Sequence, residues 1–222
     1  MKCMNKAVDN DRAQALTAMR KELLERYPQL DGAMESIDLA AKMMVDTYER
    51  GGTVLVCGNG GSAADSEHIV GELMKGFMSL RPMSEEQRDA LSDALDSDIL
   101  SKLQRGIPAI SLPSQSAVIS AYANDVDPEL VYAQLVFGYG RPQDMLIGLS
   151  TSGNSKNVVA AAKVAKAMGL GTLALTGAKE SRLSELCDVT VKAPETETFK
   201  VQELHLPIYH YLCAYVEKYL FG

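Results

Sequence analysis

The chain has 222 residues, 46% of them hydrophobic and 23% charged, which is enough apolar material for one buried core and too much for a disordered chain. Its net charge of −7, with no clustered run of Lys and Arg, argues against nucleic-acid and anionic-membrane surfaces, so any phosphate must be bound locally. Cys3, Cys57, Cys187 and Cys213 form no C-x-x-C pair, which speaks against a disulfide framework or a zinc knuckle and suits a reducing compartment. The start of the chain, Met1 to Arg20, has no apolar h-region, and no later run approaches the ~18 apolar residues of a membrane span, so a cytoplasmic protein with no membrane partner is expected.

Leu16, Met19, Leu23, Leu24 and Tyr27 recur at helical spacing up to Pro28, and Ile37, Ala41, Met44, Val45 and Tyr48 do so up to Gly51-Gly52. Two helices are therefore predicted within residues 1–52, and neither can bury its apolar stripe alone. From there short apolar runs alternate with helical stretches, and residues 53–57, 107–112, 145–149, 171–176 and 188–192 read as five strands. Such alternation implies an α/β protein with a doubly wound, open parallel sheet covered by helices on both faces, in flavodoxin-like layering. The connection between the first two strands is unusually long. Its second half, 84–104, is rich in Glu, Asp, Arg and Ser and opens with a capping-box pattern at Ser84 and Gln87, so residues 78–105 are expected to form a solvated helical insertion. A helix over about 198–220 closes the chain, with Pro207 predicting a kink or local break. The length favours one domain over 1–222.

Four segments carry chemistry. The first is Gly58-Asn59-Gly60-Gly61-Ser62, where a buried strand passes through a glycine turn into a helix. Glycines let the backbone approach a ligand, and the helix start offers free N–H groups and the positive end of its dipole. Gly58-x-Gly60-x-x-Ala63 also approximates a dinucleotide fingerprint, but that needs a second strand with an acidic residue about 20 residues on, and the next strand starts only near Ile107. A plain tight turn is the remaining reading. The second is Ser150-Thr151-Ser152-Gly153-Asn154-Ser155, again between a strand and a helix, where four hydroxyls and one turn of N–H groups can hold a phosphate without Lys or Arg. Simple N-capping by Ser152 or Ser155 explains one hydroxyl but not four. The third is His68 and Glu72, which i,i+4 spacing puts on one helix face. The fourth runs from Gln202 to His210. All three histidines of the chain, His68, His205 and His210, fall in these last two segments.

The succession of G-N-G-G-S, H-x-x-x-E, S-T-S-G-x-S and V-Q-E-x-H with a further His eight residues after the Gln resembles the phosphoheptose isomerase branch of the sugar isomerase (SIS) family, over essentially the whole chain. The resemblance implies an isomerase interconverting sedoheptulose 7-phosphate and D-glycero-D-manno-heptose 7-phosphate. It implies a phosphate held by Ser150, Thr151, Ser152 and Ser155, with the sugar near Asn59, Gly60, Ser62, Gln202 and Asp125, the last being part of an Asn124-Asp125 pair. Glu72 and His210 match the acid/base pair. His68, Glu72, Gln202 and His210 match positions that bind zinc in some members, and members usually form homotetramers with sites between subunits. Phe199 stands where heptose enzymes often carry Asp, and the 78–105 insertion is a second departure. Ketose–aldose isomerisation through an enediol needs a base at carbon, a proton shuttle at oxygen and stabilisation of an oxyanion, roles that Glu72 and His210 suit. The competing expectations are a non-catalytic sugar-phosphate sensor, a replication-initiator-associating adaptor, and an isomerase of another ketose phosphate.

Overall fold

The structure, a computed structural model, describes residues 2–222, with side chains from Asp11 onward; Cys3 lies outside the described side chains. Strands β1 (Val54–Cys57), β2 (Ala109–Ser111), β3 (Met145–Leu149), β4 (Gly171–Thr176) and β5 (Val189–Lys192) form one sheet in the order β2-β1-β3-β4-β5, every pair parallel. All five match the predicted runs. The second is shorter than 107–112, because Pro108 has no N–H to give a ladder and the Ile107 amide turns instead to the Leu73 carbonyl at 2.8 Å.

Period-two alternation sends successive strand residues to opposite faces. Val54, Val56, Ile147, Leu149, Leu173 and Leu175 face one core, with helices α1 (Lys2–Arg26), α2 (Met34–Glu49), α3 (Gly61–Met74) and α10 (Thr198–Phe221). Leu55, Cys57, Leu146 and Ala174 face the other, with α6 (Ser116–Asp125), α7 (Val131–Tyr139), α8 (Lys156–Ala167) and the short α9 (Arg182–Leu186). The stripes of the first two helices find their partners within the chain: Leu23, Ile37, Ala41, Met44 and Val45 are buried in the first of these cores, and Met19, Leu24, Tyr27 and Tyr48 pack against it. A 3₁₀ turn, Pro28–Ala33, joins them.

The insertion contributes α4 (Glu85–Ser92) and α5 (Ser97–Lys102). The capping box forms as the pattern predicted, Ser84 accepting from the Gln87 amide and Gln87 from the Ser84 amide. Helix α4 buries nothing and α5 only Leu100, so the segment is a solvated excursion. It leaves and rejoins the scaffold at one place, where Pro82 bridges Gln104 and the Arg105 amide donates to the Arg81 carbonyl at 2.7 Å.

Of the kink or local break expected at Pro207, the break does not form. Helix α10 continues through Pro207 without the local break, although the proline removes a backbone donor. Twelve of its residues are buried, and that packing holds the helix against the loss of one hydrogen bond.

Candidate active site at the carboxyl edge of the sheet

The strand order reverses between β1 and β3, so the loops leaving their carboxyl ends diverge and open a crevice, the usual ligand position in an open α/β sheet. The first loop is 58–60. A Cβ at Gly58 would lie 2.6 Å from the Ser62 carbonyl oxygen, and Gly60 holds φ 58°, so both positions need glycine. Tyr132 donates its hydroxyl to the Gly58 carbonyl at 2.7 Å. Ser62 is buried at the second position of α3, whereas Asn59 and Gly60 are exposed.

In the second loop the Ser150 and Ser155 hydroxyls lie 2.9 Å apart, and Ser152 Oγ accepts from the Asn154 amide at 3.2 Å. Ser155 occupies the N-cap position of α8 but makes no side-chain cap bond; its hydroxyl turns to Ser150 instead. Among the described residues the amides of Thr151, Ser152, Lys156 and Asn157 have no partner and stand ready for an anion. Asn59 and Asn157 exchange two amide hydrogen bonds of 2.8 and 2.9 Å, which ties the first loop to the start of α8. Asn157 carries no sequence signal for this role, since it reads as an ordinary first-turn residue.

Helices α3 and α10 run side by side in step. Gln202 covers Gly61 so closely that a Cβ there would meet its Nε2 at 2.7 Å. Further along, Tyr209 Oη donates to Asp65 Oδ1 at 3.2 Å and lies 3.0 Å from His68 Nδ1. His68 Nε2 is 3.2 Å from Glu72 Oε1 and 3.4 Å from His210 Nε2. Glu72, its side chain 15% exposed, also accepts from Lys75 Nζ at 3.0 Å through Oε2. Burial, then the neighbouring His68, pulls the His210 pKa below the usual histidine value, against a smaller opposite pull from Glu72. Burial pushes the Asp65 carboxyl up, countered in part by Tyr209 and His68.

The chain thus brings His68 into direct contact with both Glu72 and His210. Gln202 stays at the glycine turn, seven residues before Tyr209 on α10, roughly 10 Å of helical rise from the His68 level. Asp125 is exposed at the end of α6, bonded to Asn124 at 2.8 Å, with no hydrogen bond to either loop. Phe199 is 56% exposed one turn before Gln202.

A buried clamp fixes the two helices relative to each other. Arg81, fully buried, donates to the Leu73 and Glu72 carbonyls at 2.7 and 3.1 Å, capping the end of α3, and pairs through Nε with Glu217 of α10 at 2.6 Å. Glu217 also accepts from the amides of Phe77, Met78 and Ser79. Burial alone would raise its carboxyl, but the Phe77 amide, the Arg81 guanidinium and the Met78 amide outweigh that and hold it below the usual carboxylate range. Sequence pattern gave no sign of this pair, whose members stand 136 residues apart.

Fold and loops together define a class, an open α/β protein with a glycine turn and a serine loop at its topological switch point and an imidazole–carboxylate cluster further along α3. The model of the SIS domain matches residues 20–107 and 104–177. A phosphoheptose isomerase of Akkermansia muciniphila is 32% identical over 200 residues, 90% of this chain and 94% of the relative. One from Roseiflexus sp. is 37% identical over 82% of this chain and 80% of its own length. The solved phosphoheptose isomerase of Neisseria gonorrhoeae superposes with a TM-score of 0.68 at 27% identity, covering 96% of this chain and 98% of that one. The chain belongs to the SIS domain family, in its phosphoheptose isomerase branch.

Proposed function

We propose that the protein isomerises a ketose phosphate to the aldose phosphate, with sedoheptulose 7-phosphate as the ketose and D-glycero-D-manno-heptose 7-phosphate as the product. The observation that carries this reading is the contact of His68 with both Glu72 and His210 on two clamped helices, one of which starts at the glycine turn. A phosphate dianion fits the loop through the hydroxyls of Ser150, Thr151, Ser152 and Ser155 and the N-terminus of α8. Asn59, Gly60, Ser62, Gln202 and Asp125 are assigned to the sugar.

Glu72 takes the proton from the carbon next to the carbonyl and returns it to the adjacent carbon. His210, whose lowered pKa keeps it neutral at neutral pH, passes protons between the two oxygens of the enediol. The loop amides and the first turn of α3 offset the charge that develops at oxygen.

Zinc is part of the proposal. His68 Nε2, Glu72 Oε1 and His210 Nε2 are donors of the right kind, and their contacts of 3.2 and 3.4 Å are near the ~3.3 Å edge of a tetrahedron with 2.0–2.1 Å bonds. Among the described residues no group of three or more His, Cys, Asp or Glu is arranged to hold an ion, and Gln202 stands apart, so binding would need the donors to draw in around a common centre. Bound zinc would polarise the carbonyl as a Lewis acid, and would leave Glu72 and His210 less freedom as base and proton shuttle.

A homotetramer and a cytoplasmic location complete the reading. Exposed Met78 and Leu206, which line one hollow with His210, leave apolar surface for a second copy, and among the described residues no helix is long and apolar enough to cross a membrane. Incubation with ketose phosphates of different length in deuterated water, with and without zinc, tests the function. Glu72→Gln should abolish solvent deuterium incorporation and leave sugar-phosphate affinity within a few-fold; undiminished exchange removes Glu72 as the base.

A further inference from the structure

Tyr209 takes no part in the chemistry assigned so far, yet its hydroxyl is the only buried phenol that touches the cluster among the described residues. The side chain is 2% exposed, set among Ile69, Leu175 and Leu212, and its ring meets those of His68 and His210 edge-on at 5.4 and 5.0 Å. Its hydroxyl joins Asp65 to His68 at 3.2 and 3.0 Å. A carboxylate only accepts, so the phenol proton points to Asp65. The phenol oxygen is then left to accept from His68, and that places the imidazole proton on Nδ1. Neutral His68 consequently shows a bare lone pair at Nε2, aimed at Glu72 Oε1 and His210 Nε2. A lone pair facing a carboxylate at 3.2 Å is repulsive until something positive enters between them.

We propose that Tyr209 is a positioning residue: relaying from Asp65, it holds His68 in the Nδ1–H tautomer and keeps Nε2 open to receive a cation or a substrate proton. The proposal rests on the reading of His68, Glu72 and His210 as the reacting cluster. His205 supplies an internal reference, because its Nε2 donates to the Thr176 carbonyl at 3.2 Å while Nδ1 has no partner, the opposite tautomer.

With only three histidines, isotope-labelled ring nitrogens can be assigned by long-range proton–nitrogen NMR in chelator-treated protein, above the histidine titration range. His68 is expected as Nδ1–H and His205 as Nε2–H. Tyr209→Phe keeps the ring and loses the hydroxyl, so His68 should move to Nε2–H while His205 stays unchanged, which reports an intact core. The same variant should lose about 10–100-fold in turnover with KM within a few-fold, and about tenfold or more in zinc affinity measured by chelator competition. Wild-type His68 found as Nε2–H overturns the proposal without any variant. So does a Tyr209→Phe protein with unchanged tautomer, or one whose tautomer flips while turnover and zinc affinity hold. If the wild-type protein turns over no sugar phosphate, the isomerase reading fails by itself, and the tautomer and zinc measurements still decide the role of Tyr209.

Discussion

His205 makes the stability of this chain acid-sensitive in a calculable way. It is fully buried on α10, donates Nε2–H to the Thr176 carbonyl at the end of β4, and leaves Nδ1 without a partner. Burial pulls its pKa down to about 4, against a smaller upward pull from that carbonyl. An unfolded histidine titrates near 6.5. The folded pKa is the lower one, so between the two values the unfolded chain binds the extra proton. This contribution is therefore fully present above about pH 6.5, falls as the pH drops toward about 4, and is flat below. At 1.36 kcal/mol per pKa unit the loss is about 3 kcal/mol, a large part of the ~5–15 kcal/mol that holds a typical domain together. His205→Gln keeps a donor near the Nε2 position and does not titrate. Urea unfolding of both proteins at a series of pH values isolates the histidine, since every other group cancels in the difference. The wild type should lose about 3 kcal/mol relative to the variant across that window. A difference that stays constant from neutral pH to about 4 would refute the argument.

Phosphate recognition should depend on neutral donors. Ser152→Ala with Ser155→Ala removes two hydroxyls from the loop and should weaken sugar-phosphate binding at least tenfold by calorimetry, each hydrogen bond to a charged group being worth roughly 1.5–3 kcal/mol; unchanged affinity in the folded protein removes the loop from the site. Breaking the clamp with Glu217→Leu leaves the fully buried Arg81 unpaired and should cost about 3–5 kcal/mol in urea unfolding, with much of it recovered by adding Arg81→Met. A cost below about 1 kcal/mol would show that the pair is not the fixed joint described here.

The parts of the molecule that could be read in advance are those whose signal is local. A buried strand followed by Gly58-Asn59-Gly60-Gly61, or by the 150–155 serines, states strand, turn and helix start within a dozen residues, and Ser84 with Gln87 marks a helix start unaided. His68 and Glu72 share a face because helical spacing alone requires it. What joins α3 to α10 is not local. Asp65 meets Tyr209 across 144 positions and Arg81 meets Glu217 across 136, and no periodicity encodes such a pairing. Tyr209 in particular reads as one more apolar residue of an amphipathic helix, and only its depth turns the hydroxyl toward the cluster. Pro207 does not break α10 for the complementary reason, since the rule for an isolated helix does not count the surfaces that grip it. The first two helices pair their stripes inside the chain, so the proposed homotetramer would draw on other surfaces.

The meeting of Arg81 with Arg105, and of Pro82 with Gln104, makes the intervening helices a module plugged into a fixed socket. Its two ends emerge side by side, so its removal demands no stretching of the scaffold. Joining Pro82 to Gln104 by a short turn would leave Arg81, Glu217 and the end of α3 where they are. The same adjacency makes this a port for cargo: a binding peptide, a reporter domain or a fresh pair of chain ends could be placed there, held a single buried arginine away from the helix that carries Glu72.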